Sequence, residues 1–492
     1  MRDGVTPGEG VKIEIPIYND GGMDNGGSNE INNEIDNIKI QSGFVGDPIV
    51  DSGLMAIKLL TKRELYDCSN EDLKKQSDDL VNLYLTPAWS KDILSIFPNS
   101  TYVQTARNYD KEANSKEFLQ ELIDNINNFD ADAGYCIFCG KPAYKRRDGK
   151  PFVKTQIPLI GSSDYTNFFP SFKNGIDICA RCALAVQFAP ILFYKTGGKP
   201  SAISCNNKDV IKAFGMECIE YINKQKVLNA FKSKETSGIF DEGYKSPQNA
   251  LFHLAYKLST NYKSMLNSNE EIMIYRIDNY NQNPSGVSIY KLPNNVFKFV
   301  ISMMKSPEYK RIWYELLSKH YRGKEVTKDG LPFWKVNYNM IHDKLLNNRS
   351  ILWAFRDDRA KEPTVPFIIV EHYMDLVRNM NKQRIEAIRN LADKIAICIE
   401  ETKDKRRIND IVSARDLPAF RNQLRHIFRD WQKLGKDESM ITYDEYIATV
   451  IPGDYSGWRE VRDLMVIRLY EKLHDMLSTE KEDEVELEGD EE

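Results

Sequence analysis

Read by its apolar and polar positions, the chain opens on about 40 residues with little to bury. Gly21-Gly22 and Gly26-Gly27 sit there among Asn, Asp and Glu, so residues 1–40 read as a flexible leader. Apolar density begins at Phe44. Gly46-Asp47-Pro48 marks a turn, and Asp51-Ser52 is placed to cap a helix through Met55, Ile57, Leu59 and Leu60. Helical patterning continues over 73–85 and 118–126. Cysteines then punctuate 134 to about 190, where short strands such as 152–160 are expected among loops. The β-branched and aromatic runs 272–277 and 287–292, parted by Asn283-Pro284-Ser285-Gly286, predict a hairpin.

A charged run with two prolines over 357–366 interrupts the pattern and is the expected domain boundary. From Met374 the helical period dominates. Val377, Ile385, Ile388, Leu391, Ile395 and Ile399 fall on one face of a long predicted helix. A second helix is expected over 417–434, and a third over 458–477 with Val461, Leu464, Met465, Leu469 and Leu473 inward. The expected fold class is α+β: a mixed α/β N-terminal domain at 41–365 with an embedded four-cysteine zinc ribbon at about 134–190, then a C-terminal α-helical bundle at 366–478. No fixed-period repeat appears.

Composition narrows this without changing it. At 492 residues, 41% apolar and 28% charged, the chain has the profile of a folded protein with more than one structural unit. The longest apolar stretch, 184–194, is too short for a bilayer, and no signal peptide precedes it; a cytoplasmic address and no membrane are expected. The net charge of −5 conceals an acidic tail at 479–492, which reads as a solvated disordered end. Residues 480–492 carry nine acids and one lysine, so removing their −8 leaves +3 for the remainder.

The sharpest chemical signal is Cys136-Ile137-Phe138-Cys139 with Cys179-Ala180-Arg181-Cys182. Two residues between cysteines let both thiolates face one ion, and Gly140 permits the backbone to curl around the second sulfur. Structural Zn²⁺ is the expected cofactor, since four thiolates leave no open coordination position. The 39 residues between the pairs exceed a compact ribbon, so an insertion must loop out. Two redox dithiols, or one coincidental pair, are the competing readings. Cys68, Cys205, Cys218 and Cys398 are scattered and read as inert buried thiols.

Two basic regions are candidates for nucleic-acid contact. The insertion carries Lys145, Arg146, Arg147, Lys150 and Lys154, then Asn167, Lys173 and Asn174 among Tyr165, Phe168, Phe169 and Phe172. Cations would neutralise phosphates, while amides and aromatics meet base edges or wedge a stack. The bland alternative is a solvated loop over tucked aromatics. On the 417–434 helix, Arg421, Arg425 and Arg429 line a stripe beside the core face, with no acid three or four residues away. Lys403, Lys405, Arg406, Arg407 and Arg415 extend that excess. Arginines paired across the bundle or merely solvated remain the alternative.

No P-loop, Gly-x-Ser-x-Gly elbow, His-Glu-x-x-His helix or deaminase pairing occurs, and the six histidines share no ligand spacing. A non-enzyme is expected. The paired cysteines, the segment 46–53 (Gly-Asp-Pro-Ile-Val-Asp-Ser-Gly) and the helical C-terminus resemble the CXXC-CXXC proteins of type I-B CRISPR systems, large subunits of the Cascade complex in the CRISPR-associated protein eight group. The resemblance spans Phe44 to about Leu477, and only the cysteine pairs align residue by residue. It implies a partner ribonucleoprotein of guide RNA with Cascade backbone and small subunits. It further implies recognition of the protospacer-adjacent motif in double-stranded target DNA, help with strand separation, and recruitment of a helicase-nuclease. The C-terminal bundle would then be similar to the Cascade small subunit, with Met374 and Met380 as conceivable internal starts. The rival classes are a zinc-ribbon DNA- or RNA-binding protein of transcription or RNA processing, and a thiol or zinc enzyme.

Overall fold

The computed structural model describes residues 43–128, 134–160, 175–261, 269–279, 286–323, 330–451 and 457–477. The expected leader, the acidic tail, the hairpin residues 283–285 and the candidates Asn167, Lys173 and Asn174, with the aromatics around them, lie outside the described residues. Contacts divide the chain into two units, Met1–Gly43 and Phe44–Glu492, and the described helices and strands all belong to the second.

Its first half is helical around one small sheet. Helices α1 (Pro48–Thr61), α2 (Asn70–Tyr84), α3 (Pro87–Leu94), α4 (Lys111–Asp124) and α5 (Ala180–Phe188) precede strands β1 (Tyr194–Thr196) and β2 (Lys199–Cys205). Helices α6 (Lys208–Val227) and α7 (Pro247–Asn261) follow, then β3 (Ile272–Asp278) and β4 (Gly286–Leu292). The sheet runs β1-β2-β3-β4, antiparallel throughout. The predicted hairpin is β3-β4, with Ile272 opposite Leu292. β1 and β2 were not legible as strands. Helix α7 lies against β3 and β4, while α1 and α6 meet β2.

Next come α8 (Asn294–Met304), α9 (Pro307–Lys319), α10 (Phe333–Val336) and α11 (Met340–Leu346), then the two-residue strands β5 (Arg356–Asp357) and β6 (Glu362–Pro363). The C-terminal helices are α12 (Phe367–Leu376), α13 (Lys382–Thr402), α14 (Arg406–Ser413), α15 (Leu417–Lys433), α16 (Tyr443–Glu445) and α17 (Trp458–Lys472). Helix α13 packs on α15 and α17, giving the α+β class its expected helical C-terminus. Buried apolar side chains form one continuous cluster from Ile49 to Leu477. The expected boundary, 357–366, holds most of the short β5-β6 pair, and α12, which follows it, touches α8, α13 and α17.

Three local expectations need correcting. Helix α1 starts at Pro48, because Asp47 caps it by accepting from the Ile49 and Val50 amides, each at 2.9 Å. Asp51 sits in the first turn and reaches back to the Val45 and Gly46 amides, at 2.7 and 3.0 Å, and Ser52 is buried. Residues 152–160 hold only an isolated bridge, Phe152 to Ile176, among turns. The long helix from Met374 is broken: Asn379 adopts a left-handed backbone at φ 55° and Asn381 recaps the chain for α13. Val377 therefore belongs to the end of α12.

Candidate metal centre

The first cysteine pair sits on a tight turn closed by backbone hydrogen bonds. Tyr135 bridges Pro142, the Cys136 amide donates to Lys141 O at 2.7 Å, and the Gly140 amide returns to Cys136 O at 2.9 Å. That return needs a positive φ at Gly140, 70°, which a side chain would resist. The second pair opens a helix. Cys179 is the N-cap of α5, its Sγ accepting the Cys182 amide at 3.4 Å, so helix geometry carries both sulfurs to one end. Amide-to-carbonyl bonds from Ile137 to Asp177 (3.1 Å) and Tyr144 to Ile178 (3.0 Å) sew the two halves together.

All four sulfurs lie within 4.8 Å of one another, with Cys139 and Cys179 3.6 Å apart. A tetrahedron of thiolates at about 2.3 Å from zinc has edges of roughly 3.8 Å, so the four sulfurs could hold a metal ion and are consistent with zinc. No cysteine is disulfide-bonded, and the gathering of both pairs at one point is what a shared ion requires and two separate dithiols do not. Cys136, Cys179 and Cys182 are buried and Cys139 partly so. Crowding splits their acidities. Hydrogen bonds from Cys139, Cys179 and Cys182 drive the Cys136 thiol far down, while the contact with Cys136 pushes Cys179 and Cys182 up. Cys139 settles at about 7, the opposing contact with Cys136 outweighed by Cys179 and Cys182. Four thiolates so close need a cation, and the positive N-terminus of α5 supplies part of one.

What steadies the second pair was missed from sequence. Gly53, midway along α1, lies against α5 so closely that a Cβ there would fall 1.7 Å from the Ala185 carbonyl oxygen. Only glycine allows the two backbones that approach. Tyr84 adds a hydrogen bond to Gln187 O at 2.8 Å, and the Gln187 amide ties Gln156 O at 2.8 Å. A glycine inside a helical pattern was the available signal.

The basic candidates occupy two places. Lys145 and Lys150 are exposed, and Lys154 is half-buried. Arg147 is exposed but braced by Asp124 at 3.2 Å, and its amide donates to Glu121. Arg146 departs from the expected solvated cation: its guanidinium lies over the Phe118 and Phe152 rings, 5.9 and 5.6 Å from their centroids, and pairs with Asp148. On α15, Arg425 and Arg429 are exposed and make no ion pair among the described residues, whereas half-buried Arg421 hydrogen-bonds Tyr446. Arg407 of the upstream excess is paired across the bundle with Asp430 at 2.6 Å, and Arg406 with Asp404. Of the scattered thiols, Cys205, Cys218 and Cys398 are buried, but Cys68 is half-exposed and contacts Thr61 Oγ1 at 3.4 Å.

No helix among the described residues is long and apolar enough to cross a membrane. No curated protein and no solved structure matches the chain. Residues 130–194, which hold all four cysteines, match the family model of a CRISPR-associated protein (Cas_CXXC_CXXC), so that over this segment the chain is similar to that family and a role among CRISPR-associated proteins is supported.

Proposed function

We propose that the chain is the non-catalytic large subunit of a type I-B CRISPR Cascade complex, a cytoplasmic guide-RNA particle. In it the subunit recognises the protospacer-adjacent motif in duplex DNA, assists strand separation and recruits a helicase-nuclease. The observation that supports this is the family match at 130–194, centred on four sulfurs gathered from two distant pairs. The ion is zinc, and its role is structural, because a closed thiolate shell has no position for a reactive water. Guide pairing supplies sequence recognition, which leaves the protein the flanking motif and the backbone. Arg425 and Arg429, with Arg421 beside them, suit phosphates of the target or displaced strand, while Lys145, Arg147 and Lys150 are exposed cations on the chain that follows the first cysteine pair.

Co-expression with a CRISPR array and the Cascade backbone subunits tests the reading. The chain is expected to co-purify with the guide-RNA particle and to confer binding to duplexes carrying one flanking motif over others. A chain that binds nucleic acid but never enters the particle is instead a zinc-ribbon factor of transcription or RNA processing.

A further inference from the structure

Away from the cysteines and the arginine stripe, a cavity of about 570 Å³ opens between α7, α9, α10 and α11. Its walls are aromatic. Tyr256 comes to it from α7, Tyr314 from α9, Tyr321 from just beyond the end of α9, and Phe333 and Trp334 from α10. Two of these rings stay in solvent although the core is near: Tyr314 is 40% exposed and Trp334 45%. Helix α10, which carries Phe333 and Trp334, buries none of its four residues. Leaving so much ring surface wet forgoes a large burial gain, which marks a surface made to be covered.

The walls are also held rigid by buried polar groups that serve little else. Asn249 Nδ2 donates to the carbonyls of Trp334 (3.0 Å) and Asn337 (2.7 Å), fastening α10 to α7. Its Oδ1 accepts from His342 Nδ1 at 2.9 Å, which leaves His342 Nε2 to accept from the Tyr256 hydroxyl at 3.1 Å. Tyr256 in turn accepts the Trp313 indole N–H at 3.1 Å. Buried networks of this kind fix one arrangement, so the rings are set before a ligand arrives.

One end of the cavity is polar. The Glu242 side chain, 24% exposed, keeps a carboxylate there; despite burial, His253, Lys257 and Tyr194 lower its pKa to about 2. The cavity is lined chiefly by helices, whose backbone groups are spent internally, and so offers few partners to a peptide main chain. A ligand must be recognised by its flat faces and by donors on its edge.

We propose that this cavity binds one unpaired nucleobase bearing an exocyclic amine, with Tyr314 and Trp334 covering its faces and Glu242 accepting from the amine. The base comes from a free nucleotide or from a strand, and the two share this chemistry. The inference stands apart from the metal centre and borrows from the proposed function only the availability of single-stranded nucleic acid.

The test is calorimetric titration of the full chain with AMP, GMP, CMP and UMP, with ribose 5-phosphate as the base-free control. Saturable binding of the three amine-bearing nucleotides is expected, weaker for UMP and absent for ribose 5-phosphate. Y314A/W334A, which removes two exposed side chains and keeps the Trp334 carbonyl, should melt like the parent and bind AMP at least tenfold more weakly, as loss of base stacking at about 1–3 kcal/mol implies. N6,N6-dimethyl-AMP, which has lost its donor, should bind several-fold more weakly than AMP. A decanucleotide that loses affinity when one base is made abasic, in the parent but not in Y314A/W334A, identifies a strand as the source; saturation by mononucleotides with no such difference identifies a free nucleotide. Equal binding of ribose 5-phosphate, unchanged AMP binding by the folded variant, undiminished binding of the dimethyl analogue, or saturable binding of a proline-rich peptide by a chain that does not bind AMP overturns the proposal. Entry into the guide-RNA particle by the same variant would leave the proposed function standing.

Discussion

At the scale of single residues, two positions carry more than their size suggests. Gly53 is a contact between backbones, so Gly53→Ala must push α1 from α5, at a cost of roughly 1–3 kcal/mol. The expected outcome is a lowered melting temperature and, under limiting zinc, less metal per chain, because α5 begins at the cysteine ligands. His342 is a buried histidine kept neutral: burial lowers it to about 3, and its ring stacks on Phe252 at 4.1 Å. Unfolded, it takes up a proton near pH 6.5. The unfolded state thus binds more protons as pH falls from 6.5 toward 3, and stability drops across that window by up to about 1.4 kcal/mol per pH unit. Melting curves between pH 7.5 and 5 should show this decline, and His342→Gln should flatten it while lowering stability at pH 7.5. An unaltered slope in the variant would rule out His342 as the source of the decline. The four cysteines were legible because their spacing is itself the geometry; Gly53 and His342 were not, because what matters about each is a partner more than 80 residues away.

At the scale of elements, periodicity located α13, α15 and α17, each of which buries the face its apolar spacing marks, and the β3-β4 hairpin, whose β3 buries Ile272, Ile274 and Ile277 while β4 leaves Val287 and Ile289 exposed. It failed where a local backbone reversal overrides a continuing pattern, as at Asn379. It also missed β1, which is only three residues long, and β2, whose run from Pro200 to Ile203 is buried on both faces and does not alternate. Helix α15 carries the phosphate argument. Exposed Arg425 and Arg429 replaced by Ala should weaken binding to all duplexes alike and flatten its salt dependence, by up to about 0.9 log unit per lost phosphate contact. Arg407→Ala should behave otherwise: it removes the cross-bundle partner of Asp430, leaving it with Lys433 on the same helix at 3.0 Å, and lowers stability. Salt titrations of affinity beside melting curves distinguish the two effects.

At the scale of the whole molecule, the metal centre joins chain segments separated by the insertion, and α5 leads from it directly into the core. A metal ion held by the four sulfurs would contribute on the order of 10 kcal/mol to holding this region. Chelation, or Cys136→Ser, should take the purified protein from about one zinc per chain to near none and leave the N-terminal half open to proteolysis. Full protection without metal would refute a structural ion.

Residue order alone determined the two cysteine pairs, the helical C-terminus and the hairpin, since thiolate spacing and apolar periodicity are properties of neighbours within one or two turns. Only the tertiary structure decided which cations remain free and which are consumed by partners such as Asp430, where α1 can touch α5, and that aromatic side chains spread over 256–334 line one cavity. Those depend on contacts between segments far apart in the chain, and the chemical type of a residue carries no record of the neighbour that folding brings to it.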